Sequence, residues 1–243
     1  MDSKDREARK EEKLAKMQAL YAKWGECERC GLCNPAGRAR GPIAFGQGNV
    51  DASIVIIADA PTSMSSSSSS PLGDAQGEIV DIYLDSLKSS ADDVFITTLA
   101  ACRATTTDDP TKSRPLAAQE IAACMPRLTG ILEIVDPFVV LLLGGATLKA
   151  LSPQKGGISK AAKNPFIPNV EAHTQGRYAK VRRTAFATWS PKYLAMNWDM
   201  NQGGPVRQAF DTWQKAFAVA DMAAFIYRGD EVPNREDSED DTE

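Results

Sequence analysis

The chain has 243 residues, 43% of them hydrophobic, which suits one large α/β domain or two small ones with a real core. No apolar run reaches the length of a membrane span, and the charged start MDSKDREARKEEKLAK lacks the apolar stretch of a signal peptide, so a cytoplasmic protein with no membrane partner is expected. The formal charge of −4 is unevenly held: residues 229–243 carry eight acids and one Arg, net −7, which leaves the rest of the chain at +3.

Residues 3–24 read as a helix, with Leu14, Met17, Leu20, Tyr21 and Trp24 at helical spacing as a core-packing stripe. A loop region bearing Gly and Pro follows over 25–50. Ile54–Ala58 (IVIIA) is a short β-branched run, read as a buried strand that ends in the turn Asp59-Ala60-Pro61-Thr62. The run SMSSSSSS is flexible by composition. A helix is expected across Glu78–Ser89, a second strand over Val94–Leu99, a turn-rich segment over 104–115, and a helix over Leu116–Val135. The third strand is Phe138–Leu143, closed by Gly144-Gly145 and a helix from Ala146; the fourth is Arg183–Thr188, ending at Trp189-Ser190-Pro191. Gln208–Phe225 is a closing helix. Between Thr147 and Arg183 stand eight Lys or Arg and one acid, Glu171, a stretch that suits phosphate contact or a solvated loop.

Alternating strands and helices predict an α/β fold: a central parallel four-stranded sheet flanked by helices. The divisions expected are an N-terminal helix (1–24), the α/β domain (25–228) and a disordered acidic tail (229–243). In such sheets the site lies at the carboxyl ends of the strands, here 59–62, 98–102, 144–146 and 188–193.

Cys27 and Cys30 form a Cys-x-x-Cys turn, with Cys102 and Cys124 far away in sequence and Cys33 close by. Two thiolates on one tight turn, joined by a pair from other elements, suggest one metal site, with sulfur ligation that suits zinc or an iron–sulfur cluster. An odd cysteine count argues against a disulfide framework.

G-Q-G-N-V-D-A-S-I-V-I-I-A-D-A-P (46–61), V-F-I-T-T-L-A-A-C-R (94–103), D-P followed by A-A-C-M-P (109–126), L-L-G-G-A-T (142–147) and T-W-S-P-K-Y-L (188–194) together resemble the iron–sulfur, family 4 uracil-DNA glycosylases, in order from about residue 24 to 220. The resemblance implies a DNA N-glycosylase that acts on DNA, a monomer, with a 4Fe-4S cluster on Cys27, Cys30, Cys102 and Cys124, zinc being the fallback. It makes Cys33 spare. It implies catalytic roles for Asp59 and Ser190, a base pocket of Ala60, Pro61, Leu72 and Thr98, and DNA contacts from Thr188, Lys192, Arg182 and Arg183.

The departures from the family's motifs share a direction. Asp59 stands for Glu, Leu72 for the stacking Phe, Thr98 for the Asn that reads uracil's edge, and Ser190 for His. Each is shorter, so a wider pocket follows. The only histidine, His173, lies outside every motif. Three functions are consistent with this pattern: excision of a bulky modified pyrimidine, such as a hydroxymethylated or glucosylated base of viral DNA; ordinary uracil excision with substitute residues; or DNA or partner binding without catalysis. A zinc-stabilised domain of unrelated function is the fourth.

Overall fold

The computed structural model describes residues 3–32, 43–61, 71–109, 111–152, 156–166, 183–198, 204–231 and 233. Five strands form one sheet in the order β1-β3-β2-β4-β5. These are β1 (Gln47–Gly48), β2 (Ile54–Ala58), β3 (Phe95–Thr98), β4 (Val139–Leu143) and β5 (Thr184–Thr188). The last four pair in parallel, and β1 runs antiparallel to β3 at the edge. The expected four-stranded parallel sheet therefore gains a fifth, antiparallel strand. Two residues, Gln-Gly, carry no apolar signal, and β1 pairs through its backbone alone. Gly48 is required there: its φ is +104°, and a Cβ would sit 2.1 Å from the Val94 carbonyl oxygen.

The central strands β2 and β4 are apolar without alternation because helices cover both faces. Val55, Ile57, Val140, Leu142, Ala185 and Ala187 point into one core, which α1 (Ser3–Trp24), α3 (Ala118–Val135), α4 (Gly145–Leu151) and α5 (Ile158–Ala161) complete. Ile54, Ile56, Ala58, Val139, Leu141, Leu143 and Phe186 point into the other, under α2 (Asp74–Ser86), α6 (Pro191–Met196) and α7 (Pro205–Arg228). Of the stripe on α1, Met17 and Trp24 are buried and Leu20 packs on the core, whereas Leu14 and Tyr21 are exposed.

Element ends shift for local reasons. α2 starts four residues before the expected Glu78 and ends at Ser86, where Lys88 turns into the left-handed region. α7 extends at both ends, with Pro205 in its first turn and Gly229 as a left-handed cap. α6 is a helix where the sequence predicts no element; Ser190 caps it and Pro191 sits in its first turn. Among the described residues, no helix is long and apolar enough to cross a membrane. The serine run, Cys33, His173, Arg182, most of the basic stretch and residues 234–243 of the acidic tail lie outside the described residues.

Candidate active site

Asp59 follows β2 directly, at the carboxyl end of the sheet. Its backbone is pinned: the Ala100 N–H donates to the Asp59 carbonyl (3.2 Å), and the Leu99 N–H to that of Ala58 (2.9 Å). Its carboxylate is largely buried, and Oδ1 has no hydrogen-bond partner among the described residues. Burial pushes the carboxyl up to about 6, against an opposing pull from the backbone N–H of Thr147. A group with that value is ionised at neutral pH yet poised to take a proton.

Two other strand ends meet it. Gly144, after β4, has φ +105°, and its N–H donates to the Thr188 carbonyl at the end of β5 (2.8 Å). A Cβ placed on Gly144 would lie 3.1 Å from the Ser190 Cβ and 3.4 Å from Asp59 Oδ1. The turn after β4 thus draws Asp59 and Ser190 to either side of one small gap that only glycine leaves open. The Ser190 hydroxyl accepts from the Tyr193 N–H (3.3 Å), capping α6, which leaves its own proton available to donate. Lys192 is exposed on the first turn of α6, beside the exposed Tyr193 and Met196.

The remaining expected site residues fare differently. Ala60 is half-buried and Pro61 buried beside Asp59. Leu72 is 7% exposed and packs into the core under α2 rather than standing in an open cleft. Thr98, expected in the base pocket, is fully buried, and its hydroxyl donates to the Ala100 carbonyl (2.8 Å). Thr188 is fully buried, which removes it as a DNA contact; its Oγ1 has no hydrogen-bond partner among the described residues. Arg183 is also corrected. It precedes β5, at the amino end of the parallel strands and away from the site, 3% exposed, where it pairs with Asp136 and donates to the Leu132 carbonyl (3.3 Å). Its charge serves the fold and cannot reach a phosphate.

The four cysteines come together. Cys27 and Cys30 after α1, Cys102 after β3 and Cys124 in α3 all line one partly open cavity, walled by Trp24, Leu32, Ile43 and Ala123. All four are thiols rather than disulfides. Cys124 Sγ accepts from the Ala101 N–H and from Arg127 Nε, both at 3.4 Å. No three of them, or of any described His, Asp and Glu, are grouped closely enough to hold a single metal ion.

Three residues the sequence did not single out shape this region. Thr147 acts on Asp59 through its N–H and holds the turn by donating from Oγ1 to the Gly144 carbonyl (2.7 Å). Glu120, four residues before Cys124, is 5% exposed, takes two bonds from Arg114 (2.9 and 2.6 Å) and caps α3 by accepting from the Ala117 N–H (2.7 Å). A Glu at the third position of a helix is the signal that could have found it. Arg127 is the third.

A parallel sheet with a carboxylate at the end of β2, a glycine turn after β4 and a capped helix after β5 defines an α/β enzyme of the glycosylase type. Residues 45–214 match the uracil DNA glycosylase superfamily, and the chain belongs to that superfamily. Its class is that of DNA N-glycosylases, hydrolases of the base–sugar bond. The chain is 27% identical over 176 residues to a type-4 uracil-DNA glycosylase of Pyrobaculum aerophilum, covering 72% of this chain and 82% of that one. It is 30% identical over 120 residues to a type-4 uracil-DNA glycosylase of Saccharolobus solfataricus, 49% of this chain and 51% of the other. A type-4 uracil-DNA glycosylase of Thermotoga maritima is 27% identical over 140 residues, 57% and 69%.

Proposed function

We propose that the protein hydrolyses the N-glycosidic bond of a base flipped out of DNA, with Asp59 as the carboxylate that positions and activates water, and that its preferred base is a pyrimidine bulkier than uracil. The observation that carries the first part is the buried, unpartnered Oδ1 of Asp59 facing the Gly144 gap with Ser190 beside it. A carboxylate held there can take a proton from water and stabilise positive charge developing on the sugar. The Ser190 hydroxyl can donate to an acceptor on the departing base. Lys192, Tyr193 and Met196 form the exposed face of α6 beside this gap, a cation with apolar tips suited to phosphate contact and to a step opened by flipping.

The base preference rests on what is missing. Thr98 is buried and its hydroxyl proton already goes to the Ala100 carbonyl, so it has no free donor for a base edge. Leu72 cannot stack as an aromatic ring does, a contact worth roughly 1–3 kcal/mol per base. Shorter residues at 59 and 190, on either side of the Gly144 gap, favour a larger occupant, and hydroxymethylated or glucosylated pyrimidines of viral DNA are the class we assign, with defence against such DNA as the setting. The names of the relatives favour a second reading, excision of uracil itself.

The cysteine cavity fits a 4Fe-4S cluster better than a zinc ion. Zinc needs its sulfurs at about 2.3 Å around one point; here the cysteines surround a cavity and do not converge. Cys27, Cys30, Cys102 and Cys124 would hold the cluster, which would tie the α1 segment to β3 and α3. That role is structural, and no step of base removal passes through it.

The test is an abasic-site assay on duplexes with uracil, hydroxymethyluracil, hydroxymethylcytosine and glucosylated hydroxymethylcytosine, with Asp59→Asn in parallel. Release of a bulky base, abolished in the variant, supports the proposal; release of uracil alone supports the second reading. No product from any duplex overturns both.

A further inference from the structure

Arg127, which donates to Cys124 Sγ, is fully buried (0% exposed) in α3, three residues after that cysteine. Nη1 donates to the Phe45 carbonyl (2.9 Å) and to Thr97 Oγ1 (3.2 Å). Nη2 donates to the carbonyls of Thr98 and Leu99, the latter at 3.4 Å, and Nε to Cys124 Sγ at 3.4 Å. The guanidinium also lies 5.6 Å from the Phe45 ring centroid. No carboxylate among the described residues pairs with it, unlike Arg183 with Asp136 or Arg114 with Glu120.

A guanidinium does not give up its charge on burial. Burying one without a counter-charge costs several kcal/mol even when every N–H is bonded. Cys124 is the one contact that can carry a negative charge, and it would do so as a ligand of the proposed cluster. The same side chain grips the end of β3. From there the contacts run on: the Leu99 N–H holds the Ala58 carbonyl and the Ala100 N–H holds that of Asp59.

We infer that Arg127 is the built-in counter-ion of the cysteine-bound cluster and a positioning residue that links occupancy of the cysteine cavity to the backbone carrying Asp59. The inference rests on the reading of the four cysteines as cluster ligands.

The test uses full-length protein purified without oxygen: wild type, Arg127→Gln and Arg127→Lys. Iron content, the midpoint potential of the cluster by protein-film voltammetry, and amide exchange over 95–101 are measured. Arg127→Gln is expected to lose iron to a chelator about tenfold faster than wild type, the effect of one charge-assisted bond. Its remaining cluster has a lower midpoint potential, because a positive charge beside the cluster favours the added electron. Arg127→Lys restores the potential and leaves exchange over 95–101 fast, since a point charge cannot hold the forked pair of carbonyls. An Arg127→Gln protein with the iron retention and potential of wild type overturns the inference and leaves the cluster reading standing. Iron-free wild type overturns both. Should neither variant fold, wild type stripped of iron decides: faster exchange at 95–101 than at 139–143 supports the link, and equal exchange before and after stripping overturns it.

Discussion

At the amino end of the parallel strands, charged groups hold one another. Asp51 accepts from Arg9 Nε at 2.9 Å to each oxygen and pairs with Lys13 at 2.8 Å. Lys13 also donates to the Val135 carbonyl (2.6 Å), Arg228 donates to the carbonyls of Asp51 (3.0 Å) and Asp136 (2.7 Å), and Arg183 pairs with Asp136. At the carboxyl end, Asp59 Oδ1 and Thr188 Oγ1 are buried with no hydrogen-bond partner among the described residues. The first arrangement docks α1 and α7 on the sheet. The second keeps a carboxylate in a state that disfavours its charge, a cost tolerated where a reaction needs that carboxylate. The comparison separates polar residues that make the fold from those that make the site.

The comparison breaks most visibly at Asp59. Asp59→Asn should lower single-turnover base release by roughly 10²–10⁴-fold, the range for losing a general base. It should also raise thermal stability at neutral pH, because an uncharged amide replaces a buried anion. Rate and melting temperature measured on one preparation check both; a variant that loses rate and stability together would make Asp59 a structural residue.

Asp51→Ala is the counterpart at the other end. Removing it leaves Arg9 and Lys13 in place without their partner, and breaking a buried pair costs about 3–5 kcal/mol. Both partners are shifted downward, which favours the charged form of Asp51 and disfavours that of Lys13. Burial raises the Asp51 carboxyl, but hydrogen bonds from Arg9 and Lys13 hold it below its ordinary value. Burial pulls Lys13 down, and the Arg228 charge adds to that. The lower half of the range is therefore the better expectation. Chemical denaturation should show the loss, while base release per folded molecule stays unchanged.

Opposite pH dependence sharpens the contrast. The folded value of Asp59, about 6, lies above its unfolded value, so the folded state binds the extra proton between roughly pH 4 and 6. Stability from this group is full below that window and is lost as pH rises through it, on the order of 2 kcal/mol after allowance for partial exposure. Asp51 has the reverse sign: its lowered value supplies stability above the unfolded value, lost as pH falls through the folded one. Base release should rise through pH 6 as Asp59 ionises. Denaturation of wild type and Asp59→Asn from pH 4 to 8 isolates the Asp59 share as the difference between them.

Much of this division was legible in the residues, for identifiable reasons. β2 and β4 read as strands because cover on both faces leaves uninterrupted apolar runs. Asp59 stood out as a carboxylate at a strand end, and the cysteines as a set to be gathered by the fold. β1 left no mark because backbone pairing needs no particular side chain. α6 was hidden because Ser190-Pro191 reads equally as a turn and as a cap followed by a first helical residue. Arg183 and Arg127 show the main blind spot. Arginine reads as surface or as phosphate contact, and only the three-dimensional neighbours reveal a buried one. Thr98 and Thr188 were placed correctly at strand ends, but which way a hydroxyl is engaged there is not written in the chain.

Ser190 sits on the boundary between the two kinds of residue, so its variant gives the smallest and most discriminating effect. As the cap of α6, its loss in Ser190→Ala should cost about 1 kcal/mol, or two to four degrees of melting temperature in a chain of this size. As a donor to the departing base, its loss should also slow the chemical step by about tenfold or more without a matching change in KM. Ser190→Thr keeps both the cap and the donor and should recover both. A Ser190→Ala protein that melts lower yet releases base at the wild-type rate would assign Ser190 to the fold alone, leaving Asp59 as the single side chain at the Gly144 gap that acts on the bond.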